Sequence, residues 1–225
     1  MVSVIIPAYN EENNIRQTIR EAKKHELIKE VIVVDDGSED NTSKEAEKEA
    51  NRVIKLPQNE GKATALDYGV ANAKNEIVCF LDADLKNINQ ESLSDLINPV
   101  YKDNYDMFVG ICGRDKNRLS RLLVFLPVLG GQRTLKKSLW NDIPPVYKKD
   151  FQIEIALNYF TKVTGRKMGV TVLKKLDHIP KEKKYGVISG FFSRVQMIAD
   201  IIKVSITLYM YETSKRKLKS LFEYF

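Results

Sequence analysis

Asp82 and Asp84 close the apolar run Ile77-Val78-Cys79-Phe80-Leu81, and this carboxylate pair carries the clearest chemistry of the chain. The run reads as a buried strand of a parallel sheet. In an extended backbone, residues two apart project to the same side, so Asp82 and Asp84 can converge on one point. Hard oxygen ligands at a strand's carboxyl end suit Mg²⁺ or Mn²⁺, which bind through carboxylates together with substrate phosphates. Open α/β sheets place their ligands in the crevice beyond such strand ends. Taken alone the pair also has a plainer reading, because aspartates at strand ends cap helices and build turns.

The neighbouring segments add to it. Val2-Ser3-Val4-Ile5-Ile6 runs into Pro7-Ala8-Tyr9-Asn10-Glu11-Glu12, and Val31-Ile32-Val33-Val34 runs into Asp35-Asp36-Gly37-Ser38. A later loop, Asn59-Glu60-Gly61-Lys62, opens a helix and supplies a cation. In this order and context, these segments and Asp82-Ala83-Asp84 resemble the nucleotide-sugar-binding half of a family 2 glycosyltransferase of the GT-A fold, over residues 1–110. The resemblance implies Asp84 as a metal ligand, with Asp82 either sharing the metal or holding the ribose. Asp36 or Asp35 accepts the base N–H, Tyr9 offers the base a flat face, and Pro7 shapes the turn that presents it. Glu11 either binds the nucleoside or caps the first helix. Lys62 either meets the nucleotide diphosphate or is solvated at a helix start. The implied cofactor is Mg²⁺ or Mn²⁺ and the implied donor a nucleotide sugar, with UDP-sugar favoured over GDP-mannose.

The elements that must position these residues alternate. Strands are expected near 2–6, 30–34, 52–56, 76–82 and 106–110, and helices near 12–24, 40–50, 61–73 and 90–103. Such alternation builds βαβ units and a mostly parallel sheet with helices on both faces. Asp40-Asn41-Thr42 supplies short oxygen-bearing side chains before the second helix. The chain of 225 residues, 43% hydrophobic and 29% charged, can bury a sizeable core and is neither disordered nor fibrous. A single domain over 1–225 is expected: a nucleotide-sugar half at 1–110, an acceptor-side half at 111–186 and a helical C-terminal extension at 187–225.

After residue 110 the pattern changes. Leu119 to Leu129 reads as a helix that runs into Gly130-Gly131-Gln132-Arg133-Thr134, whose glycines can bring backbone N–H groups close to a ligand. A helix begins at Asp150–Leu157, Met168–Leu173 is a short strand, and a basic loop holds Asp177-His178. This half resembles glucosyl-3-phosphoglycerate synthases and polyprenyl-phosphate sugar transferases, in which a late histidine can complete the metal site; here that is His178. Neutral imidazole is a good Mn²⁺ ligand, and the alternative is a surface histidine. Arg133 can neutralise phosphate with a bidentate fork or make a structural ion pair. Asp150 and Glu154 share one helix face. Glu154 is the preferred general base for the acceptor, against a solvated carboxylate face. His25, far from any strand end, reads as structural.

The net charge of +6 is concentrated late, in Lys174, Lys175, Lys181, Lys183 and Lys184 and again at Lys215, Arg216, Lys217 and Lys219. These are solvated faces, or they meet a phosphate-bearing acceptor or an anionic membrane surface. Nucleic acid is disfavoured, since no stacking-aromatic pattern or recognition motif accompanies them. The expected acceptor is polyprenyl phosphate or a small phosphorylated metabolite, with peripheral membrane contact and a homodimer as open partners. Two cysteines in no metal or disulfide spacing, the absence of a signal-like start and the absence of a bilayer-length apolar run point to the cytoplasm, at most peripheral to its membrane face. Two rival readings stand: a catalytically silent GT-A binding module, and a D-x-D phosphatase. The phosphatase would place its motif on the first strand with Thr or Val next, whereas here it follows about the fourth strand and precedes Leu85.

Overall fold

Residue parity along the first strand decides the layering. In the computed structural model, which describes residues 1–112, 131–149, 152–173, 176–178, 206–207 and 209–210, β1 (Val2–Ala8) is buried almost throughout. Val4, Ile6 and Ala8 pack with Val31 and Val33 of β2 (Ile28–Asp35), Cys79 of β4 (Ile77–Phe80) and the Leu81 beyond it. They meet Ile15 and Ile19 of α1 (Ile15–Lys23), Ala46 of α2 (Thr42–Glu47) and Leu96 and Ile97 of α4 (Gln90–Tyr101). Ile5 and Phe80, paired in register, face the other way. Ile5 lies under Gly69 of α3 (Lys62–Asn72), where any Cβ would stand 2.3 Å from its Cγ2. Phe80 meets Trp140 of α5 (Lys137–Asn141) edge-to-face at 5.2 Å. Both faces are therefore covered, and full burial of each branched side chain contributes about 1.5–3 kcal/mol.

The remaining strands are β3 (Arg52–Lys55), β5 (Leu85–Lys86), β6 (Met107–Cys112), β7 (Gln132–Lys136), β8 (Met168–Leu173) and β9 (Asp177–His178), and α6 spans Gln152–Val163. The main sheet has the order β3-β2-β1-β4-β7-β6-β8, with β5 and β9 forming a separate pair. All neighbours run parallel except β7, which is antiparallel to both β4 and β6. This is the mostly parallel α/β architecture expected, with the D-x-D segment after the fourth strand. The chain divides into two compact units, Met1–Ile179 and Pro180–Phe225; the sheet and the site described below belong to the first.

Three local expectations change. The strand before Asp82 ends at Phe80, and Asp82-Ala83-Asp84 passes through coil into a turn, so strand alternation does not align the two carboxylates. The run after Gly131 is part of the sheet, because Gln132–Lys136 is an inner strand. Its Gln132, Arg133 and Thr134 are buried, and a strand this polar carries no apolar signature. Asp177-His178 is paired with Lys86 and Leu85 instead of lying in a basic loop. The helix expected at 119–129, Asp150, the basic residues 174–175, 181–184 and 215–219, and nearly all of the extension at 187–225 lie outside the described residues.

Candidate active site

The carboxyl ends of β1, β2 and β4 open at one edge of the sheet, and hydrogen bonds tie their loops into a continuous belt. Pro7 sits inside β1, where the Asp36 N–H to Ala8 carbonyl bond marks residue 8 as facing β2. Pro7, one position earlier, faces β4, whose ladder has already ended at Leu81 N–H to the Ile5 carbonyl, so its missing donor breaks nothing. Asn10 turns the chain in the left-handed region, at φ 54°, a conformation Asn tolerates. It receives the Glu39 N–H on its side chain at 3.0 Å and donates its own N–H to Ser38 Oγ at 2.9 Å. Tyr9, just before it, is 39% exposed at this edge. Glu11 is held inward: its N–H donates to Thr42 Oγ1 at 2.7 Å, and its carboxylate accepts from Asn14 Nδ2 at 2.8 Å, at the entry to α1. Asp40 Oδ1 accepts the Thr42 N–H at 2.9 Å and so holds the start of α2.

The two adjacent aspartates differ in what they hold. Asp35 is wholly buried; it accepts the Ser38 N–H at 2.9 Å and the Ser43 hydroxyl, pinning the turn from β2 to α2. Asp36 accepts the N–H groups of Glu60 at 2.8 Å and Gly61 at 2.9 Å. Burial pushes its carboxyl above the usual range, and those two bonds oppose the shift only in part. Gly37, at φ 71°, lets the 58–59 backbone lie against β2's end: a Cβ there would stand 2.4 Å from the Gln58 carbonyl carbon. The end of β2 and the loop that leads to Lys62 are thus one piece.

Lys62, the first residue of α3, donates to Asp82 Oδ1 at 2.6 Å. Gln132 donates Nε2 to Asp82 Oδ2 at 2.8 Å and accepts the Asp82 N–H at 3.1 Å. Gly131 is packed onto this node: a Cβ there would lie 2.7 Å from Asp82 Oδ2 and 3.0 Å from Lys62 Nζ. Burial disfavours the Lys62 ammonium, but the carboxylates of Asp82 and then Glu154 outweigh it, and its pKa is raised.

Arg133 lies one residue further along β7, opposite Phe80, with 1% of its surface exposed. Its Nη1 donates to Asn158 Oδ1 at 2.9 Å and to the Glu154 carbonyl at 3.4 Å, and Nη2 lies 3.8 Å from the Glu154 carboxylate. Burial lowers its pKa, and Glu154 counteracts this. Glu154 and Asn158, four apart on α6, share the face turned toward it. Asp84 is partly exposed in the turn after Asp82. The backbone of His178 pairs with Leu85, the residue after Asp84. His25 is buried elsewhere, bonding Ser94 Oγ through Nε2 at 3.0 Å and accepting the Leu27 N–H on Nδ1 at 3.3 Å, a structural role.

The family model for glycosyl transferase family 2 matches residues 3–138, which holds the loops of β1, β2 and β4, Lys62 and Arg133. The chain belongs to that family. It is 42% identical over 100 residues to an undecaprenyl-phosphate 4-deoxy-4-formamido-L-arabinose transferase of Proteus mirabilis, covering 40% of this chain and 31% of that protein. It is 41% identical over 99 residues to a dolichyl-phosphate beta-glucosyltransferase of Mus musculus, covering 37% of this chain and 31% of that one. The chain spans about half or less of the length of the curated relatives it matches. Glucosyl-3-phosphoglycerate synthase of Mycobacterium tuberculosis, solved with Mn²⁺, UDP and phosphoglyceric acid, shares the fold at a TM-score of 0.75. Identity there is 22%, covering 92% of this chain and 78% of that one.

Around Asp82 and Arg133, the residues Gln132, Gly131 and Asn158 are contacts that the sequence did not single out. Each is a neutral residue whose importance comes from what sits against it. The signal for Gly131 and Gln132 was the Gly-Gly-Gln-Arg run itself, legible as a close approach but not as an approach to Asp82. Asn158 was legible only as one helical turn beyond Glu154.

Proposed function

We propose that this protein transfers a sugar from a nucleotide-sugar donor, with a UDP-sugar favoured, to a phosphate-bearing acceptor. The observation that carries the reading is the convergence of Lys62, Asp82, Gln132, Arg133 and Glu154 from four elements at the sheet edge where β1, β2 and β4 end. Tyr9 offers its half-exposed ring to the base, and Asp36 accepts the base N–H while bracing the loop that ends in Lys62. Lys62 places a held ammonium beside the donor diphosphate, a preorganised charge of the kind that carries much of catalysis. Arg133 is too buried to grip a phosphate directly; it acts by orienting Glu154. Glu154 then takes the proton of an acceptor hydroxyl. An acceptor that is itself a phosphate is already ionised and needs no strong base. Glu11 holds the loop beneath the nucleoside.

The donor set fits Mg²⁺ or Mn²⁺. Asp84 lies partly exposed in the turn before the Leu85–His178 pairing, and the Asp82 oxygens already carry Lys62 and Gln132. Among the described residues no three His, Cys, Asp or Glu side chains gather; Mg²⁺ commonly takes one or two carboxylates and completes its shell with substrate phosphates. Asp84 would hold the metal and Asp82 would share it; the side chain of His178, the third residue expected there, lies outside the described ones. Once bound, the metal would act as a Lewis acid on the diphosphate leaving group.

The Mn²⁺ and UDP of the structural relative, and the phosphate-linked acceptors in the relatives' names, support this reading. Thermal-shift measurements with UDP, GDP, CDP and dTDP, each with Mn²⁺, test the donor; about 100 Kd of ligand adds ~2.7 kcal/mol. Asp84→Asn should remove the Mn²⁺-dependent part and leave the fold intact. If no nucleotide stabilises the protein with metal present, the donor reading fails. For the acceptor, polyprenyl phosphate in liposomes and small phosphorylated metabolites are the two arms, and transfer to a neutral sugar alone would sink both. No helix among the described residues is long and apolar enough to cross a membrane.

A further inference from the structure

We infer that Gln132 is a positioning residue that sets the orientation of the Asp82 carboxylate for donor binding, an inference that rests on the donor-site reading above. The last pair of the β4–β7 ladder is Phe80 with Arg133, and beyond it main-chain pairing between these strands stops. The Gln132 side chain takes over where the ladder ends. Its Oε1 accepts the Asp82 N–H at 3.1 Å and its Nε2 donates to Asp82 Oδ2 at 2.8 Å. The amide can satisfy both only in this orientation, since a carbonyl oxygen must face the N–H and an NH₂ must face the carboxylate. Asp82 is thereby held at its backbone and at one carboxylate oxygen, leaving Lys62 on the other.

The Lys62 contact alone does not do this. Lys62 is a long, partly exposed side chain, and a point charge fixes distance without fixing the carboxylate plane. Gln132 itself is wholly buried, so it cannot touch a donor molecule and acts only through Asp82. Glutamate at 132 would turn an acceptor toward Asp82 Oδ2, and methionine would leave Asp82 with neither bond. The residue type follows from the need for one donor and one acceptor on a single planar group.

The test compares wild type and Gln132→Met by titration calorimetry with UDP in the presence of Mn²⁺, alongside chemical denaturation. The side chains are similar in volume, so the cooperative unfolding transition is retained. Loss of the charge-assisted bond weakens UDP binding about tenfold or more. A residue that only packs would lower stability and leave UDP affinity within about twofold, and that result overturns the inference. Where Gln132→Met fails to fold, Gln132→Asn, one methylene short of Asp82, is read by the same criterion. If wild type itself binds no UDP with Mn²⁺, the donor reading falls and this inference falls with it. If wild type binds and the folded variant binds equally well, only the positioning role is lost.

Discussion

Gly131→Ala separates the site from the scaffold more cleanly than any charge removal. The new Cβ would stand 2.7 Å from Asp82 Oδ2 and 3.0 Å from Lys62 Nζ, while ordinary contact begins at 3.4 Å. The carboxylate must retreat by 0.7 Å and the ammonium by 0.4 Å. Both are ends of side chains, so the backbone can stay in place, and the Lys62–Asp82 pair is exposed enough to contribute ~0–1 kcal/mol to folding. The fold should therefore persist, with a stability loss of no more than about 3 kcal/mol once the bond discussed next is included. The same retreat stretches the 2.8 Å Gln132–Asp82 bond to about 3.5 Å, where it ceases to be a hydrogen bond. Losing one bond to a charged group is worth ~1.5–3 kcal/mol, so UDP affinity measured with Mn²⁺ should fall roughly ten- to hundredfold. Calorimetric titration and urea denaturation on the same preparation read both quantities. Unchanged UDP affinity, or a collapse of stability with affinity preserved in the remaining folded protein, would refute the reasoning.

Gly37→Ala should behave in the opposite way, because its Cβ would strike backbone atoms of Gln58 and Asn59 at a φ of 71°; we expect a loss of more than about 2 kcal/mol in urea denaturation. Glu154→Ala removes the carboxylate beside the buried Arg133 guanidinium, so stability should drop by about 3 kcal/mol, and Arg133→Met with Glu154→Ala should recover much of it. Burial holds the His25 pKa below its ordinary 6.5, with Glu26 opposing the shift. The folded state therefore binds its proton less readily than the unfolded one. Stability should be level above that pH and decline as pH falls below 6.5, and His25→Leu should flatten this decline in denaturation curves.

The first 110 residues were legible because their information is local. Apolar runs such as Val31–Val34 announce buried parallel strands by themselves, and each ends in residues whose placement at the sheet edge follows from βαβ alternation. The observed strand at Ile28–Asp35 and helix at Lys62–Asn72 fall within a few residues of expectation, and the family resemblance was carried by the same loops. β7 was not legible. Its Gln132 and Arg133 are buried polar residues, satisfied by partners more than twenty residues away, and no pattern along the chain reports such partners. β5 and β9, two residues each, are too short for any periodicity to register.

The sequence by itself determined the sheet's parallel core, the order of its loops and the acidic, cationic and aromatic inventory at its edge, because hydrophobic period and turn chemistry act over a few residues. Only the tertiary structure decided how that inventory is wired. It assigned Asp35 to the β2–α2 turn and Asp36 to the Glu60–Gly61 amides. It turned Arg133 inward onto Glu154 and Asn158, and it placed Lys62, Gly131 and Gln132 around one carboxylate. Hydrogen bonds and ion pairs depend on angstrom-scale distances between groups far apart in the chain, and those distances exist only once strands β4 and β7 lie side by side.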